Sequence, residues 1–473
     1  MEVKVEMLNE NGERGIPLPP GECEHERSEC RVRAGRFAES VRHPSPRTRF
    51  ARSALSRGEK VSQWRSFAMT AAFVVFGVIS SSPLVYSQEA AAFKQAIEPR
   101  TLQFPQDHAS HPGFQTEWWY FTGNLKDEAG REFGYQFTIF RRAVSPQPAV
   151  ERGRTSAWAI EDVYVGHLAI SDVGGKTFRF QEEARRGVLD VAGATTNEPH
   201  PRPLPASQGG EKGEAAGAGR PRSMDGIRVW MGKWEMLRTE HGFALKAESS
   251  GLALQLELDE TMAPVCHGRP GEEGLSRKGP QPGQASYYYS IPQLKTRGTI
   301  MLNGSTMKIA SGVSWMDHEF GSNQLSADQA GWDWFSIQLN DGSALMLYML
   351  RNKDGSLEPN SSGTWVDASG KATYLPLGAI KLTHGRTWKS AFSGGEYTLG
   401  WKIELPAQKV VLNLDAAQDD QEVRAAKTSR VSYYEGAVRV SGSAGEKAVS
   451  GNGYLEITGA PGQKETRSLG GLL

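Results

Sequence analysis

The segment Trp315-Met316-Asp317-His318-Glu319 sets a carboxyl two places after a tryptophan and two places before another carboxyl. On a strand, successive side chains alternate faces, so Trp315, Asp317 and Glu319 share one side and His318 takes the other. A carboxyl held against aromatic rings loses hydration, which favours its neutral form. Such an acid suits proton donation to a weakly basic group, and ring faces can steady the cation that results. Asp317 is therefore the candidate acid, with Tyr288 and Glu319 as polar neighbours able to hold a water. The competing reading makes Asp317 half of a structural ion pair with Lys295 or Arg297. The alternation also keeps Asp317, His318 and Glu319 from meeting one ion. Asp107, His108 and His111 sit in a loop where hydrogen bonding is the simpler role, although His and carboxylates from separate strands could still converge. No metal and no cofactor are expected.

Aromatic residues supply the ligand-binding candidates: Trp118, Trp119, Tyr287, Trp315, Trp332 and Trp334. Trp118 to Phe121 are consecutive aromatics, as are Tyr287 to Tyr289, so on strands they must point both ways. In a barrel the inward set would line an apolar pocket; the alternative is a solid aromatic core.

These residues belong to a duplication. Trp118 to Asp127 and Trp332 to Asp341 both fit W-x-x-F-[ST]-x-[NQ]-L-x-D. Farther along, Ser286-Tyr287-Tyr288 is echoed by Ser432-Tyr433-Tyr434, and Trp315-Met316-Asp317 by Tyr454-Leu455-Glu456, which predicts two versions of one fold. Period-two runs such as Phe133 to Ile139 and Leu252 to Leu258, with Asn303-Gly304 and Asp341-Gly342 as hairpin turns, make the chain all-β with little helix. Domain one is expected over 100–325 and domain two over 326–473, with the first interrupted by a disordered Pro/Gly/Ala-rich insertion at 191–224. A second insertion at 264–285, carrying Arg269, Arg277 and Lys278, is expected to fold over a barrel mouth. The first copy alone is interrupted, so it is expected to carry the ligand-specific work and the second to close it off.

The apolar run 67–79, flanked by Lys60 and Arg65, has the layout of a secretory signal over 61–88, and it is shorter than the ~20 residues of a spanning helix. Residues 1–60 read as a disordered leader or as sequence upstream of the true translation start. The expected location is periplasmic or secreted, with no stable membrane span after cleavage. Cys23 and Cys30 would leave with the signal, and the remaining Cys266 cannot form an internal disulfide. The 473 residues carry 54 basic and 54 acidic side chains, so charge gives no reason to expect a nucleic-acid partner. Nucleophile-elbow, H-E-x-x-H, phosphate-loop and dinucleotide motifs are absent from the sequence.

Taken together, the Phe104 to Arg142 segment, the Gly274 to Ser290 segment, Ser314 to Phe320 and Gly331 to Phe335 resemble the AttH-type lipocalin-like secreted proteins related to carotenoid 1,2-hydratase. That resemblance spans roughly 100–460 and implies tandem lipocalin-like β-barrels. It also implies, for one branch, cofactor-free addition of water to an isolated double bond, with an aspartate as acid that Asp317 would match. The expected partner is a hydrophobic small molecule, a polyene or lipid. The activity is either that of a hydro-lyase or that of a non-catalytic carrier, with a secreted hydrolase as a third reading.

Overall fold

The structure, a computed structural model, describes residues 92–196, 226–323 and 325–463. The leader, the signal segment through residue 88 and most of the 191–224 insertion lie outside the described residues.

Alternating apolar runs fold into two large antiparallel sheets and a separate two-stranded one. The first contains β1 (Thr116–Asp127), β2 (Glu132–Ala143), β3 (Asp162–Asp172), β4 (Thr177–Arg186), β5 (Ala192–Ala194), β6 (Arg228–Met231) and β7 (Trp234–Arg238). It continues with β8 (Gly242–Ser249), β9 (Leu252–Glu260), β10 (Val265–Cys266), β11 (Leu275–Arg277), β12 (Ala285–Leu302) and β13 (Ser305–Gly321). After it come β14 (Gln329–Leu339), β15 (Ala344–Asn352), β16 (Ser362–Val366), β17 (Ala372–Pro376), β18 (Lys381–His384), β19 (Thr387–Lys389) and β20 (Glu396–Thr398). The chain ends on β21 (Gly400–Leu405), β22 (Val410–Ala416), β23 (Glu422–Ala425), β24 (Val431–Ala444) and β25 (Lys447–Ile457). Three short 3₁₀ turns are the only helical elements among the described residues.

The two sheets repeat one plan, which makes them tandem lipocalin-like barrels. Strand order is β4-β3-β2-β1-β13-β12-β9-β8-β7-β6-β5 in one and β17-β16-β15-β14-β25-β24-β22-β21-β18 in the other. Thus β1 corresponds to β14, β13 to β25 and β12 to β24. Asn303 (φ 52°) and Gly304 (φ 81°) close the β12–β13 hairpin with the positive φ pair that such a two-residue turn requires. Gly342 (φ 89°) does the same service between β14 and β15.

Register refines the internal alignment. Asp317 pairs with Tyr120 and Ser290, while Glu456 pairs with Trp334 and Glu435. Tyr288-Tyr289-Ser290 therefore matches Tyr433-Tyr434-Glu435, one residue away from the Ser-Tyr-Tyr echo read in the sequence. A one-residue slip turns every side chain to the other face, so the correction decides which tyrosines share a wall.

Each barrel interior is filled. Trp119, Phe121, Phe137 and Trp234 belong to the first core; Phe335, Trp401 and Tyr434 belong to the second. Of the two places expected for a pocket, within a barrel or between the two, the interiors are packed with side chains. The outward aromatic set instead forms a third cluster between the barrels, in which Tyr120, Tyr288 and Trp315 meet Trp334, Tyr348 and Tyr454.

The repeated motif now has a physical reading. Its phenylalanine and leucine fill the cores, and its aspartate accepts N–H bonds in the following turn, as Asp127 does from Ala129 and Asp341 from Ser343. The amide position crosses between barrels: Asn124 donates to the Gly453 carbonyl (3.2 Å) and Gln338 to the Ser314 carbonyl (2.9 Å). Gly453 and Ser314 are equivalent, since they pair with Ile337 and Gly123 respectively. Reciprocal contacts of this kind mark a two-fold-like interface.

Candidate functional site

A cleft of about 870 Å³, part of it open to solvent, runs between the barrels. Trp118, Tyr120, Tyr288, Asp317 and Glu319 line it from one side, and Trp332, Trp334, Tyr348, Tyr433 and Glu456 from the other. Strands β1 and β13 put Trp118, Tyr120, Asp317 and Glu319 on one face because these positions alternate with core residues.

Asp317 is buried and accepts three hydrogen bonds: from the Tyr288 hydroxyl (2.7 Å), the Trp315 indole (2.6 Å) and Ser290. All three donors are neutral. Arg297 pairs instead with Glu257 and Asp259, so the ion-pair reading of Asp317 does not hold. Burial pushes the Asp317 carboxyl up to about 7, outweighing the three donors, and neighbouring Glu319 adds to the rise. The acid can therefore hold or release its proton near neutral pH, as acid–base catalysis needs.

Tyr288 receives a bond from the Trp334 indole (3.0 Å), so the second barrel helps to orient Asp317. Glu319 is held by Ser286 and by Lys278 at 3.2 Å. Lys278 also lies over the rings of Tyr348 (3.9 Å) and Tyr288 (4.9 Å). The 264–285 insertion delivers it: β10 and β11 pair with β12, which brings Lys278 to the cleft wall.

Of the residues singled out in the sequence, Asp317, Glu319, Tyr288, Trp118, Trp332 and Trp334 line the cleft, and Trp315 packs behind Asp317. Trp119 and Tyr287 do not. Trp119 points into the first core, bonds the His108 carbonyl and stacks on His318. Tyr287 also turns to that side and donates to the Glu98 carbonyl. The cause is the alternation itself, since neighbours of cleft-facing Trp118 and Tyr288 must face away. Glu456, Glu435, Lys278 and Tyr120 were missed as site residues, although the Asp317/Glu456 echo carried the signal for one of them.

Two other polar groups bear on chemistry. His267 Nε2 lies 2.7 Å from Ser290 Oγ, a serine–histidine contact. Ser290 is fully buried behind Asp317 and does not line the cleft, so the pair is not presented to a substrate. At one end of the first barrel, potential metal-ligating atoms of His111, Glu117 and His318 converge within 4.8 Å of one another. His111 Nδ1 and His318 Nε2 hydrogen-bond one Glu117 oxygen, their other ring nitrogens bond Asp107 and Tyr289, and Arg141 binds the second Glu117 oxygen at 2.9 Å, so the group reads as a buried polar network.

Fold and site together define a two-barrel protein with an acid-bearing aromatic cleft at the junction of its halves. The chain belongs to the AttH-like family, whose model matches residues 95–204 and 205–460. A crystal structure of an AttH-type protein from Nitrosomonas europaea is similar at 29% identity and a TM-score of 0.64, over 78% of this chain and 100% of that one. Kievitone hydratase from Fusarium solani subsp. phaseoli is 25% identical over 175 residues, 36% of this chain and 49% of its own, so the match spans about half of that relative. The crystal structure of kievitone hydratase from Nectria haematococca, at 15% identity and a TM-score of 0.51 over 77% of this chain and 97% of that one, shares the fold.

Proposed function

We propose that the cleft adds water to an isolated carbon–carbon double bond of a hydrophobic small molecule, or removes it in reverse, with Asp317 as the proton donor. The observation that carries this reading is a carboxyl with a proton affinity near neutrality, embedded in a wall of tryptophans. The relation to kievitone hydratase supports the reaction class. Asp317 protonates one alkene carbon; the faces of Trp118, Trp332 and Trp334 shelter the carbocation, and water adds from the polar wall. A secreted or periplasmic setting, with a polyene or lipid as substrate, completes the proposal.

The test is incubation with lycopene and with kievitone in oxygen-18 water, following heavy-oxygen alcohol by mass spectrometry. Asp317→Asn should lower product formation by about a hundredfold or more. Product from neither probe, or unchanged turnover in the variant, would count against the proposal. The aromatic lining alone also suits a carrier, whose signature is saturable tryptophan quenching by the same probes with no product.

A further inference from the structure

We infer that the second barrel supplies a second catalytic carboxyl, Glu456, which takes the proton from the attacking water. The inference rests on the hydration reading above and adds its missing base.

Glu456 is the counterpart of Asp317 by register: Asp317 lies opposite Tyr120 on β1, and Glu456 lies opposite Trp334 on β14. Both carboxyls line one cleft from opposite barrels. The cross-strand partners exchange halves. Trp334 reaches from the Glu456 side to Tyr288, which holds Asp317, and Tyr120 reaches from the Asp317 side to Glu435 (2.7 Å), which flanks Glu456 on β24. Duplication has thus built two carboxyl centres facing one space.

Their surroundings differ in a way that divides the work. Asp317 has a serine opposite it on β12, whereas Glu456 has Glu435 opposite it on β24. Two carboxyls at paired cross-strand positions do not both ionise readily, and the nearby Glu456 adds to the rise at Glu435. Glu435 is fully buried and held by Tyr120 and Gln136, while Glu456 reaches the cleft. The groups facing Glu456 are Glu435 from β24, Asp317 and Glu319 from β13, and the Trp332 indole from β14. Burial pushes Glu456 up to about 8 and raises Glu435 well above the usual carboxylate range. Glu435 does not line the cleft, so Glu456 is the member that meets the attacking water, and it acts in those molecules in which it has ionised while Asp317 keeps its proton.

In the resulting step, the alkene π pair takes the Asp317 proton and leaves a carbocation. A water lone pair forms the C–O bond, and the proton lost from that oxygen passes to the Glu456 carboxylate. Solvent then returns a proton to Asp317 and removes one from Glu456, so the cycle closes without a co-reactant. Glu435 acts as a positioning residue.

Glu456→Gln, Asp317→Asn and wild type are compared on whichever of lycopene or kievitone wild type hydrates, in deuterium oxide. Glu456→Gln should lose alcohol formation about a hundredfold with little change in KM, yet still exchange deuterium into recovered alkene, because protonation by Asp317 persists. Asp317→Asn should lose both, and Glu456→Asp should recover part of the turnover, which excludes misfolding as the cause. Normal alcohol formation by Glu456→Gln, or loss of both signals in it and in Glu456→Asp, overturns the role of Glu456 and leaves the hydration reading standing. Failure of wild type on both probes, or normal turnover by Asp317→Asn, removes the hydration reading itself.

Discussion

The carboxyls of Asp317 and Glu456 act on stability in the sense opposite to an ordinary salt-bridged acid. Each keeps its proton in the folded state where the unfolded chain has released it: between 3.8 and about 7 for Asp317, and between 4.5 and about 8 for Glu456. Over those windows the folded state binds more protons, so stability falls as pH rises and is greatest below the unfolded values. One pKa unit corresponds to about 1.4 kcal/mol, which makes the Asp317 effect about 4 kcal/mol at most by pH 8. Asp317→Asn should therefore raise the melting temperature above pH 8 by several degrees and flatten its pH dependence. Differential scanning calorimetry from pH 5 to pH 9 checks this; a variant less stable than wild type at the alkaline end would contradict it. This acid was legible in the sequence because Trp315 and Asp317 are two apart on a strand. Glu456 stood out in the sequence only as the echo of Asp317, because its proton affinity depends on burial and on Asp317 and Glu319 of the opposite barrel, which local spacing does not encode.

Strands β1 and β14 carry the motif that joins the halves. Gln338 donates to both Pro292 and Ser314 carbonyls, whereas Asn124 makes one longer bond to Gly453. Removing the buried amide of Gln338 strands two carbonyl acceptors, so Gln338→Ala should cost about 1–3 kcal/mol, and Asn124→Ala about 1 kcal/mol or less. Urea midpoints for the two variants measure the difference; equal effects would undo the assignment. Strand identity and the two hairpin turns were readable from alternation and from Asn-Gly and Asp-Gly. Which face looked inward was not: Trp118-Trp119 and Tyr287-Tyr288-Tyr289 are aromatic on both faces, so only tertiary packing separates cleft from core.

Both barrels place aromatic walls against each other, and Tyr120, Trp334, Gln136 and Tyr433 bond across the junction. The site therefore belongs to the pair, not to the first barrel with the second as a cover. Unfolding should be one cooperative event, with coincident transitions by tryptophan fluorescence and far-ultraviolet circular dichroism. Two separated transitions would show that the junction contributes little. The duplicated architecture could be read in the sequence because its motif recurs intact; the shared cleft could not, because its walls come from residues far apart in the chain.

Lys278 is the one ammonium among the described residues lining the cleft, and it is already committed to Glu319. His167 adds no positive charge at neutral pH, since burial lowers it to about 4. With Asp317 and Glu456 holding protons near neutral pH and Lys278 tied to Glu319, the described lining offers an entering anion no free cation. Long-chain alkenols should quench tryptophan fluorescence at lower concentration than fatty acids of equal length. Tighter binding of the ionised acids would contradict that ranking. A single lysine, already tied to a carboxylate, leaves this greasy cavity with no counter-charge for an anionic head group.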